Sequence, residues 1–227
     1  MTPSVAISVP DTTLLAPLPW AGQPLHEFLL TQMRAADPEG RFAIRPPMDG
    51  DVILRLGPMG DGNVAHGRGW DAYLGPSPSP LSTNNSRPNP FGAALSAVLA
   101  VARHFAHDLE PPPFEFVCNA FNWREARASA DTPPPALDNI GKLWFVGAGS
   151  VGTATIYFLT LATRSFSAAL FDMDEVKIHN LDRSPVFSAE DAEHKIKKVL
   201  AAESYLRAVG VDDIVSEPCA LDDAPLW

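Results

Sequence analysis

Residues 142–163, KLWFVGAGSVGTATIYFLTLAT, decide the fold of this chain. The apolar run LWFV predicts a strand, and the residues after the last glycine have the composition of an apolar helix. Between them lie Gly147, Gly149 and Gly152, which allow a tight turn and a close approach of the backbone to a phosphate group. The stretch predicts a nucleotide-binding loop without specifying the nucleotide. The alternative is that the glycines serve only strand-to-helix packing.

The residues that follow continue the alternation of strand and helix. The segment AALFDMD (168–174) predicts a second strand, KIKKVLAAESYLRAVG (195–210) a second helix and DDIVSEP (212–218) a third strand. Alternating strands and helices are typical of one half of a doubly wound parallel sheet. We therefore predict an α/β fold class, with an incomplete Rossmann-like parallel sheet in residues 139–227.

The N-terminal part of the chain predicts a separate mixed α/β domain, residues 1–122. Residues 1–24 are a Pro-rich lead-in, and the first helix is expected at Leu25 to Ala36. A longer helix is expected after Pro90, with an apolar face formed by Phe91, Leu95, Val98, Ala102 and Phe105. A Pro-rich linker, residues 123–138, then separates this non-catalytic scaffold or pseudo-Rossmann domain from the C-terminal half.

Composition excludes several classes of function. The net charge is 17 − 27 = −10, so the chain lacks the basic surface that nucleic acids and anionic membranes require. No run of 18 apolar residues predicts a membrane span, and the N-terminus does not resemble a signal peptide. Cys118 and Cys219 have no metal-ligand spacing and are expected to be structural, reduced thiols. We therefore expect a cytoplasmic protein.

Polar side chains after the second strand favour one kind of nucleotide. Asp172 stands where an acidic residue commonly accepts hydrogen bonds from ribose hydroxyls, and Asp174 is either a second site residue or a turn residue. Asn180 and Arg183 follow, three residues apart. An amide and a guanidinium that converge on phosphates suit a triphosphate better than NAD, because forked Arg contacts with phosphate are strong and geometry-specific.

These motifs resemble the ThiF/MoeB/HesA group of ubiquitin-activating-enzyme-like adenylyltransferases. The chain has GAGSVG, DMD, NLDR and Phe187 in the order that is typical of this family, within residues 140–218. The resemblance implies that Gly147, Gly149 and Gly152 line the nucleotide, ATP, that Asp172 holds its ribose, and that Asn180 and Arg183 hold its phosphates. It also implies a lysine that stabilises charge on the phosphates, for which Lys197 and Lys198 are the two candidates.

The resemblance further implies a reaction and a set of partners. The C-terminal carboxylate of a small ubiquitin-like or sulfur-carrier protein, or of a peptide, would attack MgATP to give an acyl-adenylate and pyrophosphate. The chain ends before the positions of the family's Mg-binding Asp and thioester Cys, so we expect a fragment or a chain that another completes. A homodimer is also expected from the resemblance.

Two other functions fit part of these residues. An NAD(P)-dependent oxidoreductase would use the glycine loop and Asp172, but it leaves Asn180 and Arg183 without a role. The other alternative is a truncated, non-catalytic module that binds a partner. In such a module the residues of the nucleotide site would not act on a substrate. Formation of an adenylate separates this last alternative from the adenylyltransferase.

Overall fold

The computed structural model describes residues 4–7, 22–36, 40–46, 48, 54–56, 63–76, 79–81, 90–105, 115–123 and 138–224. The chain forms two compact units, one made of Met1–Met48 with Leu137–Trp227 and the other of Asp49–Ala136. This division groups residues 1–48 with the C-terminal segment, whereas the sequence patterns predicted that they belong to a domain of residues 1–122. The α/β fold class predicted from the sequence is confirmed.

The first unit begins with two strands and a helix. Strand β1 (Ser4–Ile7) and strand β2 (Arg41–Ile44) pair in parallel, and helix α1 (Leu25–Ala36) lies between them in the chain. The bounds of α1 are those predicted. The interpretation of residues 1–24 as no more than a Pro-rich lead-in was wrong, because Ser4–Ile7 is a strand.

The second unit is a four-stranded sheet with one helix. It contains β3 (Leu54–Leu56), β4 (Asn63–Arg68), β5 (Asp71–Gly75), α2 (Phe91–Phe105) and β6 (Phe116–Asn119). The sheet order is β3-β4-β5-β6, with β3 and β4 parallel and the other pairs antiparallel. Cys118 is buried in β6 and has a free thiol whose pKa is raised by burial.

The predicted apolar face of α2 was wrong. Val98 is 61% exposed and Ala102 is exposed, whereas Gly92, Ser96 and Ala100 are buried. The helix has small or apolar residues on every side before Arg103, so periodicity alone does not select a face. Contact with the sheet selects the glycine side, because a Cβ on Gly92 would overlap the carbonyl oxygen of Asp71.

The first unit continues with a parallel sheet of three strands, β7 (Gly141–Val146), β8 (Phe166–Phe171) and β9 (Ile214–Glu217), in the order β7-β8-β9. Helix α3 (Ser150–Ala162) connects β7 to β8. The second connection holds a short helix α4 (Ala189–Glu193) and then α5 (Lys198–Ala208), so the helix predicted from residue 195 begins three residues later.

One face of this parallel sheet carries the core. Ile156 of α3 and Leu206 of α5 are fully buried, and they join Leu170 of β8 in one apolar cluster. The loop after β8 is tied to the same cluster through Val186, which is 7% exposed. The carboxyl ends of β7 and β8 are thereby held in register beside the starts of α3 and α5. Among the helices of the described residues, none is long and apolar enough to cross a membrane.

Candidate nucleotide-binding site

The glycine loop leaves the end of β7 and turns directly into α3. Gly147 has a φ of +95°, a left-handed conformation that strongly favours glycine. Its N–H donates to the carbonyl oxygen of Phe171 at 2.7 Å, which joins the end of β7 to the end of β8. Ala148 is buried, and Gly149 is the N-cap of α3 with an extended conformation.

The three glycines have different physical reasons to be glycine. Gly147 is required by its positive φ, and Gly152 by packing, because a Cβ there would overlap the carbonyl oxygen of Gly147. Gly149 has a φ of −79°, and in the described part of the chain no residue beyond its two neighbours has an atom within 4 Å of the place where its Cβ would be. The chain itself therefore requires glycine at two of the three positions, and space remains open above the third.

Asp172 connects the glycine loop to the loop after β8. Its Oδ2 accepts the N–H of Ala148 at 2.6 Å, and its Oδ1 accepts the N–H of Asp174 at 2.8 Å. A carboxylate has about four lone-pair sites, so each oxygen keeps room for a second donor such as a ribose hydroxyl. Asp172 thus holds the backbone of both loops and can still accept from a ligand.

Lys198 lies at the first position of α5 and is 8% exposed. Its Nζ donates to Oδ2 of Asp174 at 2.8 Å, and its backbone N–H donates to the carbonyl oxygen of the same residue at 2.9 Å. The hydrogen bond from Lys198, followed by its charge, lowers the pKa of Asp174. Both residues were predicted site residues, and the structure places them in direct contact.

Lys197 is the more exposed of the two candidate lysines. Its Nζ donates to the carbonyl oxygen of Met173 at 3.0 Å and lies 3.3 Å from Oε1 of Glu175. The side chains of Lys197 and Glu175 are 39% and 42% exposed. Each lysine therefore has its own acidic partner beside the end of β8. In the Lys198–Asp174 pair the lysine is buried, whereas both members of the Lys197–Glu175 pair are open to solvent.

Asn180 and Arg183 lie on one turn of the loop after β8. Oδ1 of Asn180 accepts the N–H of Lys177 at 2.9 Å, and the N–H of Arg183 donates to the carbonyl oxygen of Asn180 at 3.2 Å. The amide oxygen is thus used by the chain, while the amide NH₂ group keeps its donors for another partner. The neighbouring Ser184 is buried at 3% exposure, so the turn is anchored next to Arg183.

Arg183 makes a contact that the sequence analysis missed. Its Nε and Nη2 donate to the two carboxylate oxygens of Asp182 at 2.7 and 3.1 Å. This forked contact lowers the pKa of Asp182 and raises that of Arg183. Asp182 was visible as the acidic residue within NLDR, but only the coordinates join its side chain to the guanidinium.

The predicted residues fall into two connected groups. The glycine loop, Asp172, Asp174 and Lys198 form one chain of hydrogen bonds, while Asn180 and Arg183 form the other group on their own turn. Within the described residues, no cluster of three or more His, Cys, Asp or Glu side chains has the arrangement of a metal site. The arrangement offers backbone N–H groups, two carboxylates and three cations at the carboxyl ends of parallel strands, where open α/β sheets bind ligands.

No protein-family model matches this chain, and no curated protein matches it. Among solved structures, the chain is similar to crystal structures of E. coli MccB. With MccB bound to MccA, the match covers 36% of this chain and 24% of MccB at 20% identity and a TM-score of 0.32. With MccB bound to AMPCPP and MccA, it covers 73% and 56% at 13% identity and a TM-score of 0.35. This chain therefore spans between about a quarter and just over half of the MccB chain, and similarity at these TM-scores assigns no family.

Proposed function

We propose that this chain binds MgATP at the carboxyl ends of β7 and β8 and adenylates the C-terminal carboxylate of a small ubiquitin-like or sulfur-carrier protein, or of a peptide. The observation that carries the proposal is the chain of hydrogen bonds from Ala148 through Asp172 and Asp174 to Lys198. It joins three motifs of an adenylyltransferase-like sequence into one site, although 50 residues separate its ends in the sequence.

The start of α3 suits a phosphate group. The N-cap residue is Gly149, which has no side chain to accept the N–H groups of the first turn. A helix N-terminus with unsatisfied N–H groups and partial positive charge favours an anion. Among the described residues, none except the chain neighbours of Gly149 has an atom within 4 Å of a Cβ position there, so an anion has room to approach the backbone.

The cations in the loop after β8 and at the start of α5 support a triphosphate over a dinucleotide. Arg183 offers a guanidinium on an exposed turn, with a side chain 57% exposed, and Lys197 offers an ammonium that is 39% exposed. Asn180 contributes amide N–H donors on the same turn as Arg183. A nicotinamide dinucleotide carries two phosphates and needs no such set of donors beyond the ribose carboxylate and the glycine loop.

In the proposed reaction, the substrate carboxylate forms a bond to the α-phosphorus while the bond to the bridging oxygen breaks and pyrophosphate leaves. The chain's residues would orient the triphosphate and stabilise its developing negative charge, through the α3 N-terminus, Arg183 and the lysines. Magnesium would be held mainly by the phosphates, as it commonly is in such sites. A thioester step forms no part of this proposal.

The proposed partners follow from the substrate. A carboxylate at a chain terminus enters an open site most easily on an extended tail, which is why a small carrier protein or a peptide is proposed. We also propose that the chain works as a homodimer or together with a second chain. These parts of the proposal rest on the sequence resemblance.

The test is calorimetric titration of the purified chain with MgATP and, separately, with NAD⁺. We expect MgATP binding that Arg183→Ala and Asp172→Ala each weaken, together with exchange of labelled pyrophosphate into ATP when the carrier protein is present. Lys142→Ala is the matched control, since Lys142 lies on β7 outside the site. Binding of NAD⁺ in place of MgATP would reject the proposal and favour an oxidoreductase. MgATP binding without exchange would favour a binding module.

A further inference from the structure

Lys198 stands out among the charged residues of the molecule. Of the Asp, Glu, Lys, Arg and His residues whose exposure the structure describes, it alone is buried, at 8% exposure. A buried ammonium group is strongly destabilising unless a partner compensates its lost hydration. The partner here is the carboxylate of Asp174, at 2.8 Å from Nζ. The side chain of Asp174 is itself 61% exposed and remains hydrated. The buried lysine therefore depends on the carboxylate more than the carboxylate depends on the lysine.

Asp174 is held firmly enough to orient the lysine. Its N–H donates to Asp172, its carbonyl oxygen accepts the backbone N–H of Lys198, and its carboxylate accepts the Nζ of Lys198. Three hydrogen bonds therefore fix the residue between the end of β8 and the start of α5. A side chain fixed in this way can hold a flexible lysine in a single direction.

The neighbouring charges do not replace this contact. Lys197 has its own carboxylate, Glu175, and this second pair is exposed at both ends. Lys177 and Lys197 act on Asp174 through charge alone and more weakly than Lys198 does. Asp174 is the partner of Lys198 in the structure, and the Glu203–Arg207 pair, at 2.7 Å within α5, provides a control for the loss of an acidic partner away from the glycine loop.

We propose that Asp174 is a positioning residue: it holds the ammonium of Lys198 at the edge of the nucleotide-binding site and does not itself bind the nucleotide. This inference rests on the proposed function, and it gives Asp174 a role other than the two that the sequence analysis left open, a nucleotide-binding residue or a turn residue. The carboxylate acts on the phosphates only through Lys198. Removal of Asp174 and removal of Lys198 should therefore damage the same interaction with the nucleotide, so their effects should not add.

The experiment is a double-mutant cycle on MgATP affinity, measured calorimetrically well below the unfolding temperature of each variant. Asp174→Ala and Lys198→Ala should each weaken binding about tenfold, the usual size for a residue that supports a binding site. The double variant should be no weaker than Lys198→Ala alone, within about twofold. Glu203→Ala, which removes the acidic partner of Arg207 within α5, should leave the affinity unchanged. Asp174→Asn, which keeps an acceptor oxygen, should restore part of the loss and replaces Asp174→Ala if that variant does not fold.

Additive losses in the cycle would overturn the inference, because they mean that Asp174 contacts the nucleotide itself. An unchanged affinity in Asp174→Ala would overturn it as well. A second readout requires no nucleotide: acylation of lysines by acetic anhydride, followed by mass spectrometry. Lys198 should be protected in the parent chain and reactive in Asp174→Ala, with Lys197 reactive in both. If the parent chain fails to bind MgATP, the proposed function is wrong, and the acylation pattern alone then supports or rejects the positioning role.

Discussion

Two alanine substitutions in the glycine loop should separate the glycine that the fold needs from the glycine that a ligand needs. In Gly152→Ala, the new Cβ would lie well under 3.0 Å from the carbonyl oxygen of Gly147 and 3.1 Å from its carbonyl carbon. Both atoms belong to the backbone, which cannot rotate away as a side chain does. In Gly149→Ala, nothing lies within 4 Å of the new Cβ, and the backbone is in a region that alanine adopts freely.

The expected size of each effect follows from these contacts. Overpacking costs about 1–3 kcal/mol, and we expect the upper half of that range for a backbone clash. Because residue 152 lies within α3, alanine has a higher helix propensity than glycine there and stabilises the folded state by about 1 kcal/mol. Gly152→Ala should therefore lower the unfolding free energy by about 1–2 kcal/mol and the Tm by about 5 °C. Gly149→Ala should change stability by less than about 0.5 kcal/mol, since the loss at the N-cap and the stiffer unfolded chain nearly cancel.

The assay pairs urea unfolding, followed by circular dichroism, with MgATP calorimetry on the same preparations. Gly149→Ala should fold like the parent chain and lose at least about tenfold in affinity, because its methyl group occupies the space proposed for a phosphate. Gly152→Ala should be the less stable variant. Parental affinity in Gly149→Ala would refute the phosphate placement, and parental stability in Gly152→Ala would refute the packing argument for the loop.

Three further outcomes are expected. Asp182→Asn frees the guanidinium of Arg183 and should strengthen MgATP binding about twofold to fivefold, as suits an exposed pair. The gain should vanish in an Arg183→Ala background. An equal gain there would mean that the carboxylate of Asp182 weakens binding by repelling the phosphates, and not by occupying Arg183. Burial raises the pKa of Tyr205 to about 12, so the stability it contributes is complete below about pH 10 and is lost as the pH rises through that folded value. Tyr205→Phe should flatten this alkaline decline in the urea midpoint, and an unchanged decline would contradict it. Hydrogen bonding from Lys198 lowers the pKa of Asp174, so its stabilisation is present above about pH 4 and is lost at lower pH. Asp174→Asn should make the Tm less dependent on pH in that acid range, and an equally steep Tm profile would count against the pairing.

Local patterns were enough to predict the parts of the fold that form within one stretch of chain. The strand, glycine loop and helix of residues 141–162 follow from an apolar run, a positive-φ glycine and a close approach at Gly152, all within a few residues. The bounds of α1 followed from helical periodicity in the same way. Strand β4 was missed because NVAHGR lacks an alternating pattern and depends on its partner β5 for its pairing.

The sequence by itself determined the α/β class, the glycine loop and the set of polar residues from which a nucleotide site can be built. Tertiary structure alone decided which face of α2 is buried. That helix has apolar or small residues on every side, so only contact with the sheet distinguishes one face from another. It also decided that Lys198 pairs with Asp174 and that Asp172 holds the N–H of Ala148, across 24 residues in each case. Such contacts depend on how strands β7 and β8 and helix α5 are packed, and the spacing of residues along the chain does not contain that information.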